Sequence, residues 1–275
     1  FDWAAIDDRH LTVLHNSLFL VGALRAARRC ADVLRDAHAA RWIDTTIGEL
    51  VPAINALWNP AANAYPDSIY AGGALSPKTS QHTSFLALLY DVIPPEHAAM
   101  ALRNCVAPPP EMACVGTPFA IQYLYEAWEH AGREDLILQS IAQQFVPMLH
   151  AGATTVWEAF PNSVLSTPDA PTRSHRHAWS AAPLHFLNRI VLGIRPSAPG
   201  GAAYEISPYL NGLAWADGAS AGARGPVYVK WEKTNATLRI TVSVPRGVRV
   251  TYKPNPTHHG LSVAFNQASP GCFYR

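Results

Sequence analysis

The hydrophobic period of this 275-residue chain changes once, across GIRPSAPGG at residues 193–201. Successive side chains turn by about 100° in a helix and about 180° in a strand, so no single kind of element can run through both sides of that change. Upstream, from residue 8 to about 192, apolar residues recur at helical spacing. Leu11, Leu14, Leu18, Val21 and Leu24 form one stripe, and Ile47, Leu50, Val51, Ile54, Leu57 and Trp58 form another behind an expected capping box at Thr46 and Glu49. Thr117 and Pro118 are expected to open a helix with Ile121, Leu124 and Trp128 on its apolar face and Gly132 as its left-handed stop. A partner helix is expected next, with Leu138, Ile141, Phe145 and Leu149 inward, and others near 80–91, 95–104 and 177–191. The last should carry Leu184, Leu187 and Val191 in register and end at Gly193. About seven or eight helices on short turns suggest stacked helical hairpins. No repeat is strict enough for a solenoid.

Downstream the period is 2. Val227, Val229 and Trp231 alternate with Tyr228, Lys230 and Glu232; Leu238, Ile240, Val242 and Val244 alternate with Arg239, Thr241 and Ser243; Val248, Val250 and Tyr252 follow the turn Pro245-Arg246-Gly247. This predicts an antiparallel β-module with sheet packed on sheet, the Pro and Gly run marking its boundary.

Composition removes several function classes. With 49% hydrophobic residues the chain can bury a substantial core, and 21 basic against 20 acidic residues leave a net charge of +1, with no excess to neutralise nucleic-acid phosphates. Nucleic acid is not an expected partner. No apolar run approaches the roughly 18–20 residues of a membrane span, so no membrane partner is expected. The chain opens on Phe1 with neither a basic start nor an apolar signal core, and is expected to be processed or cut from something longer. Cys30, Cys105, Cys114 and Cys272 show no CxxC spacing, which leaves zinc and thioredoxin readings unsupported, although Cys105 and Cys114 could close the intervening loop as a disulfide. A sequon at Asn235-Ala236-Thr237 adds to the expectation of an extracellular protein.

Phosphate-binding loops, dinucleotide fingerprints, zincin motifs and the hydrolase elbow are all missing from the sequence. Carboxylates, histidines and aromatics remain. No cofactor is expected, and the acids are too scattered for a calcium loop, so no metal is placed. Trp58, Trp128, Trp215 and Trp231 lie on apolar periodic faces and read as core; Tyr204, Tyr209 and Trp215 read as an interdomain core before a sugar surface. Trp3 and Trp157 also suit a core, but they sit beside acids, Asp2 and Glu158, at loop positions, an arrangement that would suit holding a sugar. Glu158 closes GATTVWE, where small and β-branched residues followed by bulky ones suggest a tightly packed element delivering its acid to a defined place. His175 and His177 follow about 20 residues later, and a carboxylate and histidines on neighbouring loops would suit water activation.

These stretches resemble the C-terminal part of an α-L-rhamnosidase, of the inverting glycoside hydrolase family 78 built on six helical hairpins. The resemblance rests on FDW (1–3), SQHTSFLALL (80–89), GTPF (116–119), EAWEHAGREDLIL (126–138), GATTVWE (152–158), SHRHAWSAAP (174–183), LGIRP (192–196), YEISPYL and LAWADG. It implies a mainly α chain with a β-domain: part of an (α/α)6 toroid over 1–195, then a C-terminal antiparallel β-sandwich over 196–275. It further implies Glu158 as general base, His177 lining the sugar site, Trp3 packing on the sugar, and Asp2 as a secondary contact for a sugar hydroxyl. Phe1 stands where the family motif has glycine. His175 and Trp157 complete the candidate binding set. The partner implied is a rhamnose-containing glycoside or polysaccharide.

Inversion needs two carboxyl groups roughly 6.5–9.5 Å apart, one protonating the leaving oxygen and one deprotonating water on the opposite face. The family's general acid lies upstream of the FDW-like motif, and Asp7-Asp8-Arg9 reads as a helix cap instead. A full ring needs twelve helices, so an upstream segment or second chain is expected to complete it and supply the acid. The rival expectations are a non-catalytic carbohydrate-binding or structural fragment, or a six-hairpin glycosidase acting on another sugar.

Overall fold

The computed structural model describes residues 2–8, 10, 12–161, 163 and 172–268. They form two compact units: residues 1–133 with 143–180, and residues 134–142 with 181–275.

In the first unit, α1 (Leu14–Leu34) and α2 (Ala37–Asn55) form a hairpin turned by Arg35, in the left-handed region at φ 58°, and Asp36. Leu14, Leu18, Val21 and Leu24 are buried as the stripe requires; Leu11 lies outside the described residues. Leu24 and Ala31 meet Ile43 across the hairpin. The expected capping box is corrected. Asp36 is the N-cap, accepting from the amides of His38 and Ala39, while Thr46 sits mid-helix with its hydroxyl on the Trp42 carbonyl. Glu49 therefore follows no helix start.

Two short strands, β1 (Thr12–Val13) and β2 (Ser68–Ile69), pair antiparallel ahead of α1. The cap expected at Asp7-Asp8-Arg9 is corrected too, since α1 begins only at Leu14 behind Val13. Asp7 instead accepts from the hydroxyls of Ser76 and Tyr70 and lies 3.0 Å from His10. Helix α3 (Gln81–Leu89) packs against α1, α4 (Pro95–Val106) and α5 (Pro118–His130). Its residues 81–87 are all buried; the side chains of Gln81, His82 and Thr83 find partners within the unit, while Ser84 Oγ has none among the described residues. Thr117, Pro118, Ile121, Leu124, Trp128 and Gly132 stand as the α5 pattern anticipates, with Gly132 at φ 68°.

The following segment departs from expectation. It breaks into α6 (Glu134–Gln144) and α7 (Val146–His150) because Pro147 has no amide to continue the helix. Ile137, Phe145 and Met148 are buried and Leu149 is exposed, in place of the single stripe through Leu138 and Leu149. The expected 177–191 helix likewise becomes a 3-10 turn (Ala178–Ser180), α8 (Ala182–Phe186) and a π turn (Leu187–Val191). The wider π turn shifts the register, so Phe186 and Ile190 are buried while Leu184 and Leu187 face out.

Among the described residues the second unit carries seven strands: β3 (Ile194–Ala198), β4 (Ala203–Ile206), β5 (Trp215–Ser220), β6 (Val227–Lys233), β7 (Thr237–Ser243), β8 (Arg249–Tyr252) and β9 (Ser262–Gln267). They form sheets ordered β3-β4-β8 and β5-β6-β7-β9 around one core that joins Ile194 and Ile206 to Val229, Trp231, Ile240 and Val242. The sandwich is as expected, but the sheets are mixed, since β8 lies parallel to β4 and β9 parallel to β7. Gly193 is fixed as glycine: a Cβ there would lie 2.2 Å from the Pro208 nitrogen. Trp231 is fully buried and donates to the Val191 carbonyl, and Tyr204 is buried with it. Trp215 is corrected as a core residue; on the edge strand β5 its alternation points outward and leaves it 64% exposed.

Cys105 is buried and Cys114 exposed, and neither is in a disulfide, so the loop between them is closed by other means. Ala113 bonds the Thr79 carbonyl and accepts from Gln81, while the Gln81 side chain spans the Cys105 carbonyl and the Val115 amide. Burial pushes the Cys105 thiol well up. Cys272 lies outside the described residues.

Candidate functional site

Glu158 is not on a helix. It sits on an irregular loop after α7, tied to a second loop by its amide donating to Ser174, the His177 amide donating to Val156, and the Ala159 amide donating to Thr172 Oγ1. Small residues before Val156 let the chain turn at Gly152, in the left-handed region at φ 85°, and the loop then folds Trp157, Ala159 and Phe160 into the core. Glu158 itself is mostly buried, with its side chain 12% exposed and Oε1 3.9 Å from the Arg173 guanidinium.

Arg173 meets a second described residue. Its guanidinium also lies over the Trp3 ring, 5.1 Å from the centroid, in cation–π geometry. Trp3 is 45% exposed. On the other side of Glu158, the Trp179 indole donates to the Glu158 carbonyl, stacks on His177 at 4.0 Å and meets Phe119 at 5.2 Å. Phe119 lies in the first turn of α5, beside Thr117, whose hydroxyl reaches Asp2. With the chain itself carrying Thr117 to Phe119 and Asp2 to Trp3, these contacts form a circuit through Asp2, Thr117, Phe119, Trp179, Glu158, Arg173, Trp3 and back. Phe119, Arg173 and Trp179 were not singled out from the sequence. Arg173 offered no signal there, whereas Phe119 and Trp179 stood inside the GTPF and HAWS motifs.

The candidate residues fare differently. Trp3, Glu158 and His177 fall around this circuit. His177 is half-buried, with Nδ1 shielded from solvent and without a hydrogen-bond partner among the described residues. Trp157 is corrected as a sugar contact, because only 3% of it is exposed and it packs edge-on against His175. His175 is exposed and meets that buried ring from outside.

Asp2 is corrected as a sugar-hydroxyl contact. Its side chain is fully buried. Oδ1 accepts from the Trp3 amide and the Thr117 hydroxyl, and Oδ2 from His82 Nε2 at 2.7 Å and the Gly116 amide at 2.8 Å, which uses the four acceptor positions of a carboxylate. Burial alone would raise its pKa, but the hydrogen bond and charge of His82, with the Gly116 and Thr117 donors, outweigh that and hold the carboxyl below its ordinary value. Gly116 is as tightly constrained: a Cβ there would lie 2.4 Å from the Trp3 carbonyl oxygen. FDW and GTPF, separate in sequence, are one physical unit.

Beside it runs a second buried polar chain, in which Ser80 donates to Asp67 at 2.6 Å and lies 3.1 Å from His15, while the Asp7 amide donates to Asp67. Burial raises the Asp67 carboxyl. Burial, aided by the His82 charge, lowers His15 to about 3. No three His, Cys, Asp or Glu side chains converge as metal ligands would among the described residues.

Comparison with known proteins fits this layout. Residues 1–191 match the model of the bacterial α-L-rhamnosidase six-hairpin glycosidase domain, and residues 193–262 that of the bacterial α-L-rhamnosidase C-terminal domain. An α-L-rhamnosidase of Alteromonas sp. (strain LOR) is 27% identical over 203 residues, covering 69% of this chain and 21% of that protein. The crystal structure of a GH78 family rhamnosidase of Bacillus sp. GL1 superposes with a TM-score of 0.90 at 35% identity, over 98% of this chain and 28% of that one. The fold is also that of an α-L-rhamnosidase of Streptomyces avermitilis, complexed with L-rhamnose, at TM-score 0.65, 17% identity, 86% of this chain and 22% of that one. The chain spans about a fifth of the length of the curated relatives it matches.

Proposed function

We propose, from the premise that the chain belongs to the bacterial α-L-rhamnosidase six-hairpin glycosidase family, that it is the part of a glycosidase that holds the water-activating base. The reaction is hydrolysis of terminal α-L-rhamnosides with inversion. The observation that carries this reading is the position of Glu158, a mostly buried carboxylate with one edge open, beside Arg173 and the half-exposed Trp3.

A general base must lie within reach of one water, and the open edge of Glu158 offers an oxygen to it. The general acid belongs to a segment outside these 275 residues, about 6.5–9.5 Å from Glu158 in the complete enzyme. The test is Glu158→Gln in the complete protein. Turnover of an aryl α-L-rhamnoside should fall by about 10³-fold or more with the melting temperature unchanged. NMR of the sugar first released should show the inverted anomer. Near-normal turnover by the variant defeats the assignment, and binding without turnover by the wild type favours a non-catalytic sugar-binding role.

We further propose that a preceding segment of the same protein covers the outer side of the α1–α2 hairpin. Val33 and Leu34 on α1 and Trp42 on α2 are 83%, 77% and 59% exposed, which is costly for a surface meant to face water. We also propose secretion, with support from Asn235 of the sequon, which is exposed in the turn between β6 and β7. A mass shift on glycosidase treatment of protein from a glycosylating host would mark its use.

A further inference from the structure

We propose that Asp2 is a positioning residue whose buried carboxylate, clasped by His82 and the Gly116–Thr117 turn, sets where the Trp3 ring stands relative to Glu158. The inference rests on Glu158 and Trp3 belonging to a sugar-hydrolysing site.

Removing a carboxylate from water is strongly unfavourable unless its oxygens are fully partnered. Here four donors from three segments meet both oxygens: the Trp3 amide, His82 of α3, and the Gly116 amide and Thr117 hydroxyl ahead of α5. Such an arrangement fixes the backbone at residues 2–4. The Trp3 carbonyl is pressed into the space that a Cβ at Gly116 would need, so the turn can neither slide nor rotate. The Trp3 side chain leaves this clamp as a half-exposed ring, and its further described contact is the Arg173 guanidinium that also approaches Glu158. The buried clamp therefore fixes the backbone from which the indole projects. An asparagine at position 2 would keep the shape but present an NH₂ to two donors that need an acceptor, leaving them unpaired.

The experiment uses the complete protein with an aryl α-L-rhamnoside. A ring that binds ground state and transition state alike changes KM and leaves kcat. Asp2→Asn should therefore raise KM about 10-fold with kcat changed less than about 3-fold, as should Trp3→Ala. The double variant should be no worse than Trp3→Ala, because Asp2 acts through Trp3. A purely structural role would instead lower kcat or folded yield, add to the Trp3 effect, and overturn the proposal.

Should Asp2→Asn not fold, His82→Gln removes one clasp while sparing the carboxylate, and the same KM effect and non-additivity are expected. A crystal structure of the variant separates this idea from the functional reading. Displacement of the Trp3 ring off Arg173 supports positioning even if rhamnosides prove not to be substrates, and an unmoved ring overturns it.

Discussion

At the scale of single residues, the helical unit is organised by buried polar groups whose protonation is tied to folding. His15 is 1% exposed, and its pKa is lowered to about 3 from an ordinary value of 6.5. The folded chain thus keeps it neutral while the unfolded chain takes up a proton below pH 6.5. Its contribution is present above that pH and is lost as pH falls towards 3. Asp2, with a lowered pKa, acts in the same direction at lower pH; Asp67, with a raised one, opposes it. The melting temperature should therefore drop on acidification from pH 7 to pH 5, where His15 and, in the second unit, His258, also lowered by burial, act in the same direction. His15→Gln should flatten that dependence, and a slope unchanged by the substitution would remove His15 from the account.

At the scale of elements, the α1–α2 hairpin separates two ways of starting a helix. Asp36 accepts two first-turn amides, whereas Thr46 merely returns its hydroxyl to the preceding turn. Asp36→Ala should cost about 1 kcal/mol and Thr46→Ala under about 0.5 kcal/mol, read from denaturant midpoints. The reverse order would restore Thr46 as the cap. The helices were legible from apolar spacing, because the spacing reports which face is buried; of the strands, β6, β7 and β8 were legible from alternation, and β1 to β5 and β9 were not. Register was not legible where geometry departs from ideal: Pro147 splits one expected helix, and the π turn at Leu187–Val191 rotates another. In the sandwich, Trp215 and Trp231 lie on strands of the same sheet and differ only in which face they point to. Local alternation could not tell the core tryptophan from the exposed one without the pairing.

At the scale of the whole molecule, the two loops of the candidate site stood in the sequence as motifs, and their connections did not. GATTVWE and HAWS marked the two loops that the structure ties together through Glu158 and Ser174, His177 and Val156. Nothing in the sequence shows that the Asp2 carboxylate turns inward while Trp3 turns out, since neighbouring residues of a loop carry no period. The same limit sent Trp157 to the sugar site when it belongs to the core. The chain's short share of its relatives' length, set beside the exposed Val33, Leu34 and Trp42, yields a prediction at this scale. Co-expressed as a separate polypeptide with the preceding segment proposed above, the chain should co-purify with it and bind less of a hydrophobic dye than it does alone. Replacing Trp42 and Leu34 with Ser should weaken the pair; an unaffected complex would place the contact elsewhere.

The 2.4 Å between the Trp3 carbonyl oxygen and a would-be Cβ at Gly116 also bears on how such enzymes can be recombined. A gene chimera with one crossover between codons 4 and 116 takes the two sides of that contact from different parents. It tolerates the join only if the parent supplying position 116 brings glycine, and keeps the clamp only if the other supplies aspartate at position 2. Library designs that treat residues 2–4 and 116–117 as one inherited block should retain folded members that free shuffling discards.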